Sequence, residues 1–138
     1  EVQSARILSV GAYRPPRVVP NSEIIERIDS TDEWIQQRTG IVSRHIAAAD
    51  ESLIDMAEKS ALIAIKRAGL TAQDIDAVIF ATISYPYQAP SAATELLVRL
   101  GNVKAAAFDL SAACAGFCYG VALANDLVRN KTAKNVLV

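Results

Sequence analysis

Two cysteines, one histidine and one tryptophan are the scarce, chemically capable side chains of this 138-residue sequence. Cys114 stands in Phe108-Asp109-Leu110-Ser111-Ala112-Ala113-Cys114-Ala115-Gly116-Phe117. An apolar run from Ala105 to Leu110 reads as a strand leading in, and an amphipathic run from Cys114 to about Arg129 reads as a helix leading out. A thiol at that junction lies in the positive field of the helix's unpaired N–H groups, which favours the nucleophilic thiolate. The surrounding Ala and Gly residues leave room for a substrate and for close approach of backbone. A small apolar cysteine in a core fits the same spacing, because free Cys is among the most buried residue types. Spacing alone leaves both readings open. Cys118, one turn further on, reads with Phe117 and Val121 as packing.

The lone tryptophan sits in Asp29-Ser30-Thr31-Asp32-Glu33-Trp34-Ile35, followed by Arg38-Thr39-Gly40-Ile41. Trp34 and Arg38 are four apart, so a short helix places a flat aromatic beside a guanidinium on one face. That pair suits a purine base and a phosphate; a core anchor is the plainer alternative for a Trp. His45 follows Arg44 in a polar, loop-like stretch and reads as structural or as a surface residue. Ser84 to Pro90 holds two Tyr and two Pro after an apolar run, which reads as an irregular turn.

Composition narrows the classes. Half of the residues are hydrophobic (51%) and 21% are charged, a globular balance with enough apolar material for one core. A net charge of −1 without a basic run gives no electrostatic case for nucleic acid. The apolar stretches fall short of the roughly 18 residues that span a membrane. Glu1-Val2-Gln3 is neither a basic n-region nor a signal peptide. Two cysteines at this spacing match neither a disulfide framework nor a C-x-x-C site, so the reading is a reducing, cytoplasmic compartment with no metal.

The elements that must position these residues follow from punctuation and period. Arg6 to Tyr13 reads as a first buried strand closed by Arg14-Pro15-Pro16-Arg17. Asn21 offers an N-cap for a short helix ending near Ile28. Ser30-Thr31-Asp32 caps a second short helix that Gly40 stops. A long helix begins near Ser52 and Asp55, carries Leu53, Met56, Ala57, Leu62, Ala64, Ile65 and Ala68 on its apolar side, and ends at Gly69. Ala77 to Ile83 is a continuous apolar strand buried on both faces. Ser91 to Leu100 is a helix ended by Gly101, and Asn135 to Val138 is a last strand. Strands alternating with helices imply an α/β fold with a mostly parallel sheet, right-handed crossovers and reactive groups beyond the strands' carboxyl ends. Glu1 is no translation start and Val138 falls inside an apolar strand, which reads as residues 1–138 belonging to a larger protein.

Several motifs in this one order carry a resemblance: Gly11-Ala12-Tyr13-Arg14-Pro15, the Asp29 to Ile35 and Arg38 to Ile41 stretches, Arg44-His45-Ile46-Ala47, Pro90-Ser91-Ala92-Ala93 and the cysteine segment. Together they resemble β-ketoacyl-acyl carrier protein synthase III across essentially the whole chain. The resemblance implies the first half of a thiolase-like fold, with the second half absent from residues 1–138. It implies Cys114 as the nucleophile that is acylated by an acyl-CoA and then condensed with malonyl-acyl carrier protein. Coenzyme A is a substrate in that chemistry, so no cofactor is implied. The matching Trp34 and Arg38, with Ser30, would bind coenzyme A. The catalytic His and Asn would come from the second half, and His45 does not match that His. The Ser84 to Pro90 region would reach the partner subunit of a homodimer and shape the acyl pocket. Ala89 stands where short-chain-selective members carry Phe, which implies a deeper pocket and a primer larger than acetyl. The alternatives are a polyketide starter-unit synthase, a related thiolase-like transferase, or a non-catalytic scaffold half.

Overall fold

The computed structural model describes residues 4–138; Glu1, Val2 and Gln3, read above for targeting signals, lie outside the described residues. The chain divides into two compact units, one spanning Tyr13–Ser52 and the other joining the segment before Tyr13 to Leu53–Val138.

The larger unit is α/β. Its sheet has three parallel strands, β3 (Ala77–Ala81), β4 (Ala106–Leu110) and β5 (Val136–Leu137), in the order β4-β3-β5. The central β3 has three consecutive buried residues, Ala77, Val78 and Ile79, the signature of a strand covered on both faces. Against the sheet lie α4 (Ala92–Arg99) and α5 (Gly116–Arg129), and α3 (Leu53–Arg67) packs on α4. Ala61 and Ile65 of α3, Val78 of β3 and Ala93, Leu96 and Leu97 of α4 form the shared core. The helix α5 meets β3 through small residues. A methyl on Gly120 would stand 2.8 Å from Val138 and 3.6 Å from Ile79, and one on Gly116 3.2 Å from the Ala81 Cβ.

Asn102, 2% exposed, fixes the approach to β4. Its amide donates to the Ala72 and Ile75 carbonyls (2.8 and 2.9 Å), and its oxygen accepts from the Lys104 and Ala105 N–H groups (2.9 and 3.1 Å). Every donor and acceptor lobe of that side chain is used, as burial requires.

The smaller unit is an antiparallel ribbon of β1 (Arg17–Pro20) and β2 (Ser43–Ile46) with two short helices, α1 (Asn21–Ile25) and α2 (Asp32–Thr39). Thr31 caps α2 by accepting from the Trp34 N–H (3.2 Å), and Gly40 ends it at φ +71, a left-handed conformation that glycine adopts without strain. Asn21, 1% exposed, donates to Asp32 (2.6 Å) and to the Ile41 carbonyl (2.8 Å), and accepts from Arg44 (2.5 Å).

Four expectations are corrected. Arg6 to Tyr13 is not a buried strand: it pairs with no strand among the described residues, and Ile7 and Val10 are 72% and 66% exposed. It runs extended over α3 instead, held by Ser9 to the Ala64 carbonyl, by Arg67 to the Val10 carbonyl, and by Gly11, where a Cβ would sit 2.0 Å from the Ser60 oxygen. Asn21 is not a cap but the first residue of α1, its side chain turned inward, and that helix ends at Ile25. On α3 the expected Ile65 is buried and Ala57 packs against the core, but the other buried residues are Ile54 and Ala61, not among those expected, and Leu62 is 49% exposed. His45 lies in strand β2 rather than a loop.

Candidate active site

The register of β3 and β4 puts Ala81 beside Leu110, so both strands end at one edge of the sheet. Ser111 and Ala112 then lead into a 3-10 turn over Ala113–Ala115, and α5 begins at Gly116. Cys114 is the middle residue of that turn and is exposed. The turn is tight: Ala113 adopts φ +45, unfavourable for a residue with a Cβ, and Ala115 N–H closes on the Ala112 carbonyl at 3.0 Å. Strain of this kind persists only where the surrounding structure fixes it. Here it lifts a thiol off the end of a parallel sheet, at the start of a helix, where such sheets place reactive groups. The expected helix start at Cys114 is thus two residues early.

Cys118 is exposed as well, and Phe117 is 64% exposed. The expectation that Phe117 and Cys118 are packed is not met within this chain, because α5 turns its glycines rather than its large side chains to the sheet.

The segment between β3 and α4 leaves the same sheet edge. Tyr85 donates to Glu95 on α4 at 2.7 Å, and its ring meets Tyr87 edge-on with centroids 5.5 Å apart. That hydrogen bond and the neighbouring carboxylate hold the Tyr85 hydroxyl protonated, its pKa pushed up to about 12. Glu95 in turn pairs with Arg99, which also reaches Asp55 and Glu58 on α3. Ala89 is exposed in this segment, just before α4.

The second constellation is in the smaller unit. Ile28, Asp29, Ser30, Thr31, Trp34 and Ile35 line an open groove of about 350 Å³. Trp34 is 55% exposed, and the Arg38 guanidinium carbon stands 5.8 Å from its ring centroid, within cation–π range. The Ser30 hydroxyl is buried beside it without a hydrogen-bond partner among the described residues. The structure therefore brings Ser30, Trp34 and Arg38 together in one unit and places Cys114 and Ala89 in the other. His45 contacts the Pro15 carbonyl through Nδ1 (2.6 Å), a bond that ties β2 to the segment before β1. Among the described residues no group of three His, Cys, Asp or Glu side chains is arranged to hold a metal. No described helix is long and apolar enough to cross a membrane.

Asp109 escaped the reading of the sequence. A carboxylate inside an apolar strand needs a partner, and that mismatch was the available signal. Its oxygens accept from the Ala92 and Ala93 N–H groups at 2.8 and 2.9 Å, at the start of α4.

A parallel sheet flanked by helices, with a strained cysteine turn beyond its carboxyl edge, is the architecture of thiolase-like condensing enzymes, and comparison with solved structures bears this out. The chain superposes on the priming β-ketosynthase of the R1128 polyketide biosynthetic pathway with a TM-score of 0.92 and 41% identity, covering 96% of this chain and 40% of that one. It superposes on 3-oxoacyl-[acyl-carrier-protein] synthase III from Aquifex aeolicus with a TM-score of 0.91 and 37% identity, covering 95% and 42%. Within that class the resemblance to β-ketoacyl-acyl carrier protein synthase III holds over nearly the whole sequence: the chain is 52% identical to the enzyme of that name from Kocuria rhizophila over 133 residues, 96% of this chain. The family model for 3-oxoacyl-[acyl-carrier-protein (ACP)] synthase III matches residues 108–138, the segment that contains Cys114. The chain spans about 38% of the length of the curated relatives it matches.

Proposed function

We propose that this chain is the nucleophile-bearing part of an initiating condensing enzyme, corresponding to the N-terminal half of a β-ketoacyl-acyl carrier protein synthase III. In this reading the Cys114 thiolate attacks the carbonyl of an acyl-CoA thioester, and the tetrahedral adduct collapses to an acyl-cysteine as coenzyme A leaves and takes a proton as its thiol. Malonyl-acyl carrier protein then loses carbon dioxide. The resulting carbanion attacks the acyl-cysteine carbonyl, forming the carbon–carbon bond and returning the Cys114 thiolate. The His and Asn that assist decarboxylation and hold the oxyanion would come from polypeptide outside these 138 residues, since His45 is engaged with Pro15 in the ribbon unit. Trp34 would stack on the adenine of coenzyme A, with Arg38 and Ser30 supplying polar contacts at the groove. Ala89 would leave the acyl pocket open to longer or branched primers. A homodimer in the cytoplasm completes the reading.

The observation that carries it is the position of Cys114: exposed, on a strained turn at the end of a parallel strand, within the segment matched by the family model. The test is incubation of the full-length protein with an acyl-CoA followed by peptide mass spectrometry. The expected adduct is on Cys114; acylation of Cys118, or turnover by a Cys114→Ala protein, would sink the assignment. The 0.92 TM-score to a polyketide priming synthase favours a second reading, in which the same chemistry primes a polyketide. Which carrier protein accepts the acyl group distinguishes the two.

A further inference from the structure

The loop between β3 and α4 has both of its ends fastened to two consecutive residues of β4. At its start, the Thr82 N–H donates to the Leu110 carbonyl at 3.2 Å. At its end, the Ala92 and Ala93 N–H groups donate to the two oxygens of Asp109 at 2.8 and 2.9 Å. Ser91 has already capped the same helix by accepting from the Thr94 N–H at 3.1 Å, so helix initiation does not need the aspartate. A carboxylate at a helix start is electrostatically favoured, but this one comes from a neighbouring strand. It therefore joins two elements rather than completing one. Four residues beyond Leu110, the same strand delivers Cys114.

We propose that Asp109 is a positioning residue: its two-pronged acceptance at Ala92 and Ala93 closes the neck of the loop that carries Tyr85, Tyr87 and Ala89 and so sets that loop's place relative to Cys114. This rests on the reading of Cys114 as the acylated nucleophile and of the loop as a wall of the acyl pocket. Its consequence is that primer selectivity depends on Asp109, although Asp109 touches no substrate. A single strand then specifies both the attacking sulfur and the wall that admits the acyl chain. The Tyr85–Glu95 hydrogen bond is a second, weaker tie at mid-loop.

The test compares wild type, Asp109→Asn and Tyr85→Phe in the full-length protein, well below the melting temperature of each. Asp109→Asn keeps the side-chain size and one carbonyl acceptor but turns an NH2 toward one of the two backbone donors. Kinetics with acetyl-CoA and with a branched acyl-CoA give the selectivity ratio. Hydrogen–deuterium exchange reports the loop directly. For Asp109→Asn the selectivity ratio is expected to change by about tenfold, because small misplacements near a reacting centre are costly. Faster exchange confined to the Thr82–Thr94 region is expected alongside it. Tyr85→Phe should shift both measures in the same direction by less. An unchanged ratio in Asp109→Asn, with only a lowered melting temperature, would overturn the proposal, as would exchange that rises uniformly over the larger unit. If wild-type Cys114 is not acylated at all, the functional reading fails instead. The exchange pattern then still decides whether Asp109 closes the loop.

Discussion

The two units of this chain reach order by different means. The larger one rests on apolar burial, with Val78, Leu96 and Leu97 at 2 to 4% exposure around a three-stranded sheet. Its buried polar hub, Asn102, bonds only to backbone. The ribbon unit has few fully buried apolar side chains among its described residues, Val19 and Ile35, and is organised by Asn21, whose partners include two charged side chains, Asp32 and Arg44. The contrast extends to the proposed chemistry. The apolar unit carries Cys114, the proposed nucleophile, on a strained turn, and the polar unit carries an open aromatic groove. Rigid packing suits a sulfur that must be aimed; an open polar framework suits a nucleotide that must come and go.

The strongest way to break that division is at the sulfur. Cys114→Ser leaves a hydroxyl with no comparable fraction of anion at neutral pH, and acyl transfer should fall by about a thousandfold or more. Stopped-flow or mass-spectrometric acylation measures it. Retention of substantial activity would move the nucleophile elsewhere.

Next in size is the hub of the apolar unit. Asn102→Ala strands the Ile75 carbonyl and two N–H groups that water reaches poorly, while the Ala72 carbonyl keeps the Ile75 N–H, at a cost of about 3 kcal/mol. Urea denaturation gives the value. Asn21→Ala should cost less, about 1–2 kcal/mol, because Asp32 keeps the Gln36 amide and fewer partners are left unmet. An equal or larger cost for Asn21 would mean that the ribbon unit depends on polar contacts more steeply than the comparison holds.

The groove should respond in binding rather than in chemistry. Trp34→Ala is expected to raise the KM for acyl-CoA by about tenfold, the lower range of base stacking on an aromatic, and to leave the malonyl-carrier step nearly unchanged. A change below about twofold would make the indole structural. Ala89→Phe is a smaller perturbation. It should lower turnover of long or branched acyl-CoA several-fold while sparing acetyl-CoA, and a wild type that already prefers acetyl-CoA would refute the open-pocket reading.

The same contrast explains what could be read from the sequence. Elements of the larger unit announce themselves through period and punctuation. The continuous apolar run at Ala77, the Ser91 cap, the glycines Gly69 and Gly101 at positive φ and the Asp109-to-Cys114 junction all fell within a few residues of the observed bounds. The ribbon was hidden because β2 reads Ser-Arg-His-Ile and β1 ends in Pro20, neither of which shows an apolar alternation. Its strands exist because each supplies the other's backbone partners, a pairing that no local pattern records. Arg6 to Tyr13 failed in the opposite sense. Its apolar residues signal an extended chain, but a strand is defined by ladder partners, and Gly11 against the α3 backbone left no clue except its lack of a side chain. For the proposed site, the sequence could nominate Cys114, Trp34 and Arg38 because scarce residues stand in dense motifs, whereas the contact of Asp109 with the start of α4 is set only by the fold.

The smallest expected effect concerns acid. Each unit holds a carboxylate whose pKa is lowered. In the ribbon unit Asp32 accepts from Gln36, the larger cause, and from Asn21. In the apolar unit Asp74 accepts from the Thr71 backbone N–H and then from its hydroxyl. A depressed folded-state pKa means that the ionised form is favoured by folding. The contribution to stability is therefore fully present above the ordinary aspartate range, near pH 4, and is lost as pH falls through the lowered value. Trp34, the sole tryptophan, lies two residues from Asp32, so its fluorescence reports the ribbon unit, while far-UV circular dichroism is dominated by α3 and α5 of the other. Wild type titrated downward from pH 5 should lose native Trp34 emission in the acid limb, and Asp32→Asn should flatten that limb without altering the dichroism. Asp74→Asn should do the reverse. If Asp32→Asn moves both signals together, the two units melt as one body in acid, and their different internal construction has no separate consequence for stability.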